Sequence, residues 1–200
     1  MGSHFATRRV EFDAAHRVPD HASKCRHIHG HRYALEVTCE GGLALDGEER
    51  GMVIDFGFLK EEIDWQITEP LDHHLVLSVH DELVRHLARK EDLQMLGALA
   101  MMPGVMIRGD FGAILVLPDV PTAENIARYC FRKLAGRILA RSQGRARLHH
   151  VRLYETPNCW ADFHGAEDLS TKGDPLEWTR RTSPQMSSID PPPEPPSALP

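Results

Sequence analysis

The feature that most constrains the fold is an alternation of inward-type and polar side chains in two segments near the N-terminus. Alternate side chains of a β-strand lie on one face, so this period predicts two strands. The inward residues are Val10, Phe12, Ala14 and His16 in the first segment and His29, His31, Tyr33, Leu35, Val37 and Cys39 in the second. Histidines therefore fall where the first strand ends and the second begins.

A helical spacing of three to four residues marks two later segments. Asp55 precedes the first, which Pro70 ends, and Thr122 precedes the second, residues 123–139. Asp and Thr are common N-cap residues, so both segments predict amphipathic helices. The residues that would face the core are Phe56, Leu59, Ile63 and Ile67 in the first helix and Ile126, Cys130, Leu134 and Ile138 in the second.

Apolar runs at residues 113–117 and 148–155 predict two further strands, and residues 80–92 predict a short helix. The order of strands and helices indicates an α+β fold with an antiparallel sheet. Two hundred residues suffice for one domain, which we expect at residues 1–169. The rest of the chain, residues 170–200, holds eight of the 14 prolines and is predicted to be a disordered tail.

The net charge of −6 disfavours binding to nucleic acid or to an acidic membrane surface. No apolar run approaches the roughly 20 residues that cross a bilayer, and no secretion signal is evident, so we expect a cytoplasmic protein. Its 4 cysteines are then expected to be reduced thiols. Of these, Cys39 and Cys130 should be buried in the core.

Histidines are concentrated around the junction of the first two strands. His29 and His31 lie two residues apart on a strand, so their imidazoles project side by side, and Gly30 leaves the other face open. If the two strands pair, His16 would complete a group of three. Three neutral imidazoles with an open fourth position are typical of catalytic zinc.

Two further groups are candidates for proton transfer. Cys25 precedes His29 by four residues and would be either the fourth ligand of a closed structural site or a thiolate beside the metal. Asp72 precedes His73, and a carboxylate that orients an imidazole makes a general base. Adjacent residues of a strand face opposite sides, so this pairing requires a turn.

Six motifs occur in one order between residues 8 and 163: FDAAHR, CRHIHGHRY, GMVIDF, LDHH, PTAENIA and VRLYETP. In this order they resemble the family of 6-pyruvoyl-tetrahydropterin synthases and 6-carboxytetrahydropterin synthases. The spacing Cys-x3-His-Gly-His, from Cys25 to His31, resembles the 6-carboxytetrahydropterin synthases of queuosine biosynthesis. The pyruvoyl enzymes tend to have a longer gap after the cysteine.

The resemblance implies a role for each candidate residue. The zinc ligands would be His16, His29 and His31. Cys25 would be a catalytic base rather than a ligand, and Asp72 with His73 would form a second proton-transfer unit. Glu155 would anchor the guanidine-like edge of a pterin; without the resemblance, an outward charge on an edge strand would be expected there.

The resemblance also implies a fold and a reaction. The fold would be the tunnelling fold, a four-stranded antiparallel sheet with two main helices on one face, joined through sheet edges into an oligomeric barrel. This homohexamer would be a dimer of trimers. As a lyase, it would use zinc to convert 7,8-dihydroneopterin triphosphate to 6-carboxy-5,6,7,8-tetrahydropterin, releasing acetaldehyde and triphosphate. The alternatives are a 6-pyruvoyl-tetrahydropterin synthase or related pterin enzyme, and a binding module whose structural zinc site is closed by the cysteine and the three histidines.

Two segments depart from the compact members of that family. About forty residues, 78–119, separate LDHH from PTAEN and form an insertion that would reshape access to the site. VRLYETP is followed by Asn158, Cys159 and Trp160, which differ from the compact enzymes.

Tyr33 is predicted to pack in the core.

Overall fold

The computed structural model describes residues 3–93, 96 and 104–165, which form a seven-stranded β-sheet with helices. The strands are β1 (His4–His16), β2 (His29–Gly41), β3 (His74–Ser78), β4 (Val105–Gly109), β5 (Gly112–Leu117), β6 (Ala146–Thr156) and β7 (Cys159–His164). Their order across the sheet is β4-β5-β3-β1-β2-β6-β7. The predicted tail, residues 170–200, lies outside the described residues.

The α+β class is confirmed, but the predicted four-stranded antiparallel sheet is wrong. Strands β1, β2, β6 and β7 form an antiparallel half, and β3, β5 and β4 extend the sheet beyond β1. β3 lies parallel to both β1 and β5, so the sheet is mixed. β4 and β5 belong to the insertion predicted at residues 78–119. The insertion therefore widens the sheet.

Strands β3 and β5 are covered on both faces. One face joins the main core, and the other forms a small core with Val84. The residues on the two faces are Val76, Leu115 and Leu117 on the first, and Leu77, Ile114 and Val116 on the second. Strands buried on both faces lose the period-two alternation, as is typical of parallel strands.

The helices are α1 (Phe56–Ile63), α2 (Glu69–Leu71), α3 (Glu82–Leu87), α4 (Lys90–Leu93) and α5 (Ala123–Arg141). Both predicted caps are observed. Asp55 accepts a hydrogen bond from the Phe58 N–H at 2.7 Å, and Thr122 accepts one from the Asn125 N–H at 3.5 Å. Among the described helices, none combines the length and the apolar character that crossing a membrane requires.

The first predicted helix is continuous but irregular. A π-helical turn, Asp64–Thr68, joins α1 to α2, and helical structure ends at Leu71, one residue beyond the predicted end at Pro70. Pro70 lies in the first turn of α2, where its missing N–H is tolerated. Phe56 was predicted to face the core, but it is 50% exposed because it lies at the solvent side of the helix start.

Helices α1 and α5 contribute to one main core with the inward residues of β1, β2 and β6. The remaining predicted helix positions are fully buried in it: Leu59, Ile63, Ile67, Ile126, Cys130, Leu134 and Ile138. Cys39 is also buried, as predicted, and its burial raises the pKa of the thiol to about 12. Both core cysteines are therefore protonated, apolar packing groups.

Candidate active site

The start of β2 pairs with the end of β1, so the histidines of the two strands meet. His16 lies opposite His29, and Ala14 lies opposite His31, in the antiparallel register. One ring nitrogen of each histidine lies within 4.8 Å of those of the other two. His16 is only 2% exposed, whereas the other two are partly exposed. The structure thus brings the three predicted ligands together.

Hydrogen bonds to backbone carbonyls orient two of these imidazoles. His16 Nδ1 donates to the Pro121 oxygen at 2.7 Å, and His29 Nδ1 donates to the His27 oxygen at 2.8 Å. With the proton on Nδ1, each Nε2 keeps a lone pair for a ligand. The Nε2 atoms of His16 and His31 are buried without a hydrogen-bond partner among the described residues. Buried polar atoms are rarely unpaired, so this group fits a metal ion.

Glu155 reaches the same group from β6. Its Oε1 lies 3.4 Å from His16 Nε2 and 3.9 Å from His31 Nε2. Burial lowers the pKa of both histidines, against the opposing effect of this carboxylate, and neutral imidazoles are the form that binds metal. The alternative of an outward, solvated edge-strand charge is not observed, because Glu155 points toward the histidines.

Cys25 lies between β1 and β2 in a short 3₁₀ turn, Lys24–Arg26. A hydrogen bond from the Val18 N–H to the Cys25 oxygen, at 2.9 Å, holds the loop. The thiol is partly exposed and is not a member of the group of histidine nitrogens. Within the described part of the chain the ligand group is therefore open, which favours Cys25 as a base over Cys25 as a fourth ligand.

Asp72 and His73 form the turn that their predicted pairing requires. His73 has a positive φ of 59°, and its Nδ1 lies 3.1 Å from Asp72 Oδ2. Asp72 Oδ1 accepts a hydrogen bond from the Asp13 N–H at 2.8 Å, and the His73 N–H donates to the Asp13 oxygen at 2.6 Å. The hydrogen bond from the Asp13 N–H holds the pKa of Asp72 below its ordinary value, and the hydrogen bond with His73 adds a smaller effect in the same direction. An ionised carboxylate is thus fixed beside an exposed imidazole.

A pocket of about 670 Å³ adjoins these groups, a volume in the range of small-molecule sites. His31 and His73 both line it, together with Asp13 and Phe111. Phe111 lies in the turn between β4 and β5 and is 93% exposed. Asp13 and Phe111 were not predicted from the sequence, because neither an aspartate within a strand nor a single aromatic residue in a turn carries a functional signal. Cys25, although described, does not line this pocket.

Tyr33 lies beside the histidines in the core. Its ring centroid is 6.0 Å from that of His16 and 5.7 Å from that of His31. The side chain is fully buried, as predicted, yet the hydroxyl lacks a hydrogen-bond partner in the residues that the structure describes. Burial raises the pKa of this hydroxyl, which stays protonated. The prediction of core packing for Tyr33 did not include this unpaired hydroxyl.

Comparison with known sequences defines the class of protein. Residues 6–166 match the family model described as 6-pyruvoyl tetrahydropterin synthase. This match covers most of the chain and includes the three histidines of the main group, His16, His29 and His31. The chain belongs to the 6-pyruvoyl tetrahydropterin synthase family.

Curated relatives carry a more specific name. The 6-carboxy-5,6,7,8-tetrahydropterin synthase of Rickettsia bellii is 34% identical over 157 residues, which cover 78% of this chain and 96% of the relative. The protein of the same name from Haemophilus influenzae is 31% identical over 157 residues, with the same coverage of 78% and 96%. This chain is therefore similar along most of its length to synthases of the carboxy product.

Solved structures share the fold. An uncharacterized protein from Wolinella succinogenes has a TM-score of 0.63 at 25% identity, covering 82% of this chain and 99% of that chain. The 6-pyruvoyl tetrahydropterin synthase of Plasmodium falciparum has a TM-score of 0.56 at 21% identity, covering 81% of this chain and 97% of its own. At such identity the second likeness shows the fold alone.

Proposed function

We propose that this protein is a zinc-dependent lyase of queuosine biosynthesis that converts 7,8-dihydroneopterin triphosphate to 6-carboxy-5,6,7,8-tetrahydropterin. One water is consumed, and acetaldehyde and triphosphate are released. The observation that carries the proposal is the open group of three imidazoles beside Glu155, with two buried Nε2 atoms unpaired in the described part of the chain. The names of the curated relatives support the carboxy product.

The histidine group and Glu155 would bind and orient the substrate. His16, His29 and His31 would hold the zinc ion, which when bound would polarise side-chain oxygens of the substrate and acidify their protons. Glu155 would accept hydrogen bonds from N–H groups on the guanidine-like edge of the pterin. A partly buried carboxylate requires such a donor-rich partner, because burying it unpaired is costly.

Two other groups would move protons. The Cys25 thiolate would take a proton from a side-chain carbon, and His73 would carry a proton to or from a side-chain oxygen. Asp72 supports this role of His73, since its carboxylate lies 3.1 Å from the ring and stays ionised through its bond to the Asp13 N–H.

One alternative differs from the proposal in its reaction products, and the other differs in the role of the Cys25 thiol. A 6-pyruvoyl-tetrahydropterin synthase would keep every side-chain carbon and release no acetaldehyde. A binding module with a structural zinc site would need Cys25 as the fourth ligand, whereas the thiol lies outside the histidine group. Iodoacetamide would therefore modify Cys25 in the zinc-loaded enzyme but not in a closed site.

The deciding experiment is incubation of the zinc-loaded protein with 7,8-dihydroneopterin triphosphate, followed by product identification by mass. We expect the 6-carboxy product and acetaldehyde in equal amounts. Cys25→Ala should abolish their formation, while the matched variant Cys159→Ala, at an exposed cysteine of β7, should retain it. A 6-pyruvoyl product without acetaldehyde would refute the proposed reaction, and no turnover of any pterin would favour the binding module.

The remaining expectations stay predictions. These are the homohexamer formed as a dimer of trimers, the cytoplasmic location and the domain limit at residue 169. The widened sheet bears on the predicted homohexamer, whose subunits would join through sheet edges. The outer strands of the described sheet are β4 and β7.

A further inference from the structure

A second histidine cluster lies on the sheet face opposite α1 and α5. His149 and His150 belong to β6, and His164 belongs to β7. Along β6, Leu153 and Glu155 face the main core and the main histidine group, whereas His150 lies on the alternate face. Sequence patterns did not single out these three histidines, and the proposed reaction does not use them.

A β-bulge brings two of the three histidines together. Cys39 of β2 lies opposite Leu148 of β6, and Thr38 lies opposite His150, so the register shifts by one residue. His149 is the extra residue, and a bulge re-aims a side chain that regular pleating would turn away. As a result, His149 Nδ1 lies 2.8 Å from His150 Nδ1.

His164 completes the cluster from the neighbouring strand. It lies directly opposite His150, and the two rings stack with centroids 5.0 Å apart. Phe5 packs edge-on against His149 at 5.0 Å and limits the movement of that ring. One nitrogen from each histidine lies within 4.8 Å of the others, as in the main group. Two nitrogens on one tetrahedral zinc ion are roughly 3.3 Å apart, so small rotations would suffice.

The charges around the cluster are balanced. Arg152, two residues beyond His150, donates to Asp162 through two hydrogen bonds of 2.7 and 2.9 Å. Arg147, on the other side, donates to Glu40 at 2.9 Å. Each neighbouring arginine thus has its own carboxylate, so neither would strongly repel a cation at the histidines.

We propose that His149, His150 and His164 form a second metal site, which binds a divalent transition-metal ion of the zinc class. Imidazole nitrogens suit Zn²⁺, Ni²⁺ and Cu²⁺, whereas Mg²⁺ and Ca²⁺ prefer oxygen ligands. His164 is exposed, so the remaining coordination positions are open to water. The site is separate from the main histidine group, because it lies on the other face of the sheet.

The test is a titration of the tag-free full chain with Zn²⁺ after removal of metal by a chelator, with bound metal counted per chain. We expect two equivalents in the wild type and one in the His29→Ala/His31→Ala variant, which lacks the main group. Adding His164→Ala to that variant should weaken the remaining binding at least tenfold, because two nitrogens hold the ion poorly. Adding His86→Ala instead, at an exposed histidine of α3, should leave it unchanged.

The outcomes separate this proposal from the proposed function. No zinc bound to the folded His29→Ala/His31→Ala variant, or equal affinities after His164→Ala and His86→Ala, would overturn the second site. One equivalent in the wild type that survives in His29→Ala/His31→Ala and disappears with His164→Ala would support the second site and refute zinc at the main group. His164→Gln in the wild-type background gives an independent measure, with an expected fall from two equivalents to one.

Discussion

At the scale of single residues, the two ring nitrogens of His16 lie in different environments. Nδ1 donates to the Pro121 carbonyl, and Nε2 has no hydrogen-bond partner among the described residues. The backbone bond thus fixes both the tautomer and the direction of the free lone pair. Spacing on a strand could predict that His29 and His31 are neighbours, but the Pro121 carbonyl arrives from 105 residues away along the chain. Local patterns cannot predict such a contact.

Zinc binding and catalytic turnover should depend on different residues. We expect His31→Ala to lose one equivalent of zinc, because two remaining nitrogens hold the ion poorly, whereas Cys25→Ala should keep the metal and lose turnover. Metal content by mass spectrometry, measured beside product formation, checks both variants. Release of zinc from Cys25→Ala as readily as from His31→Ala would instead show that the thiol is a ligand.

Asp72 gives a prediction about acid stability. Its folded-state pKa is depressed, so its stabilising contribution is fully present above the unfolded value of about 3.9 and is lost as the pH falls through the folded pKa. Asp72→Asn should therefore be less stable than the wild type at pH 6, and the difference should shrink below about pH 4. Urea unfolding from pH 3 to pH 6 measures this, and a difference that does not change with pH would contradict it.

At the scale of elements, sequence patterns predict the caps and buried faces well, and strand direction poorly. Asp55 and Thr122 cap the helices that follow them, because a cap depends only on residues within one turn. The pairing of β3 with β1 and β5 is parallel, and no turn residue within those strands specifies it. The apolar run at residues 113–117 was compatible with either direction, since a strand covered on both faces has no alternation.

The cap of α5 can be tested by a matched pair of substitutions. Thr122→Ala should lower the free energy of unfolding by about 1 kcal/mol, because the Asn125 N–H loses its partner. Thr122→Ser keeps the hydroxyl and should be close to the wild type. Equilibrium urea unfolding of the three proteins measures both differences, and equal losses in the two variants would exclude the cap as the cause.

The insertion is held to the end of β1 by a buried ion pair. Arg17 donates to both carboxylate oxygens of Asp81, at 2.7 and 2.6 Å, and Asp81 also accepts from the Leu83 N–H at the start of α3. Arg17→Ala would leave this carboxylate buried without a cation, so we expect a loss of stability on the order of 3 kcal/mol. Arg85→Ala, at an exposed position of α3, should change stability by less than about 0.5 kcal/mol. Comparable losses in thermal unfolding would contradict the prediction.

At the scale of the whole molecule, the two candidate proton-transfer groups, Cys25 and the pair Asp72–His73, do not line the same pocket. The histidine group and Glu155 lie together, and His73 shares a pocket with His31 but not with Cys25. The resemblance to this family also implies that Cys25 of one chain and the pair Asp72–His73 of a neighbouring chain would form one site, and this stays a prediction. Sequence motifs could predict the residues of the site, whereas their distribution over chains depends on an assembly that no local pattern encodes.

Mixed oligomers test that distribution. Cys25→Ala and His73→Ala chains should each be nearly inactive alone and should regain activity when co-expressed, because some interfaces would unite an intact Cys25 with an intact His73. Random mixing would restore at most about a quarter of the wild-type sites. Differently tagged chains, purified in sequence, verify mixing. No recovery in such oligomers would place the proton-transfer groups within one subunit.

The bond from His16 to the Pro121 carbonyl has a consequence beyond the site. Pro121 directly precedes Thr122, the cap of α5, so an ion bound to His16 would stabilise the closed first turn of α5. By linkage, the closed turn would strengthen ion binding by the same free energy. A chain without its ion would open this helix start more often, and amide hydrogen exchange there would report occupancy of the site. In a metal-starved cell the same opening would expose the chain to proteases first at this point. The rate at which the protein is degraded would then depend on the supply of the ion.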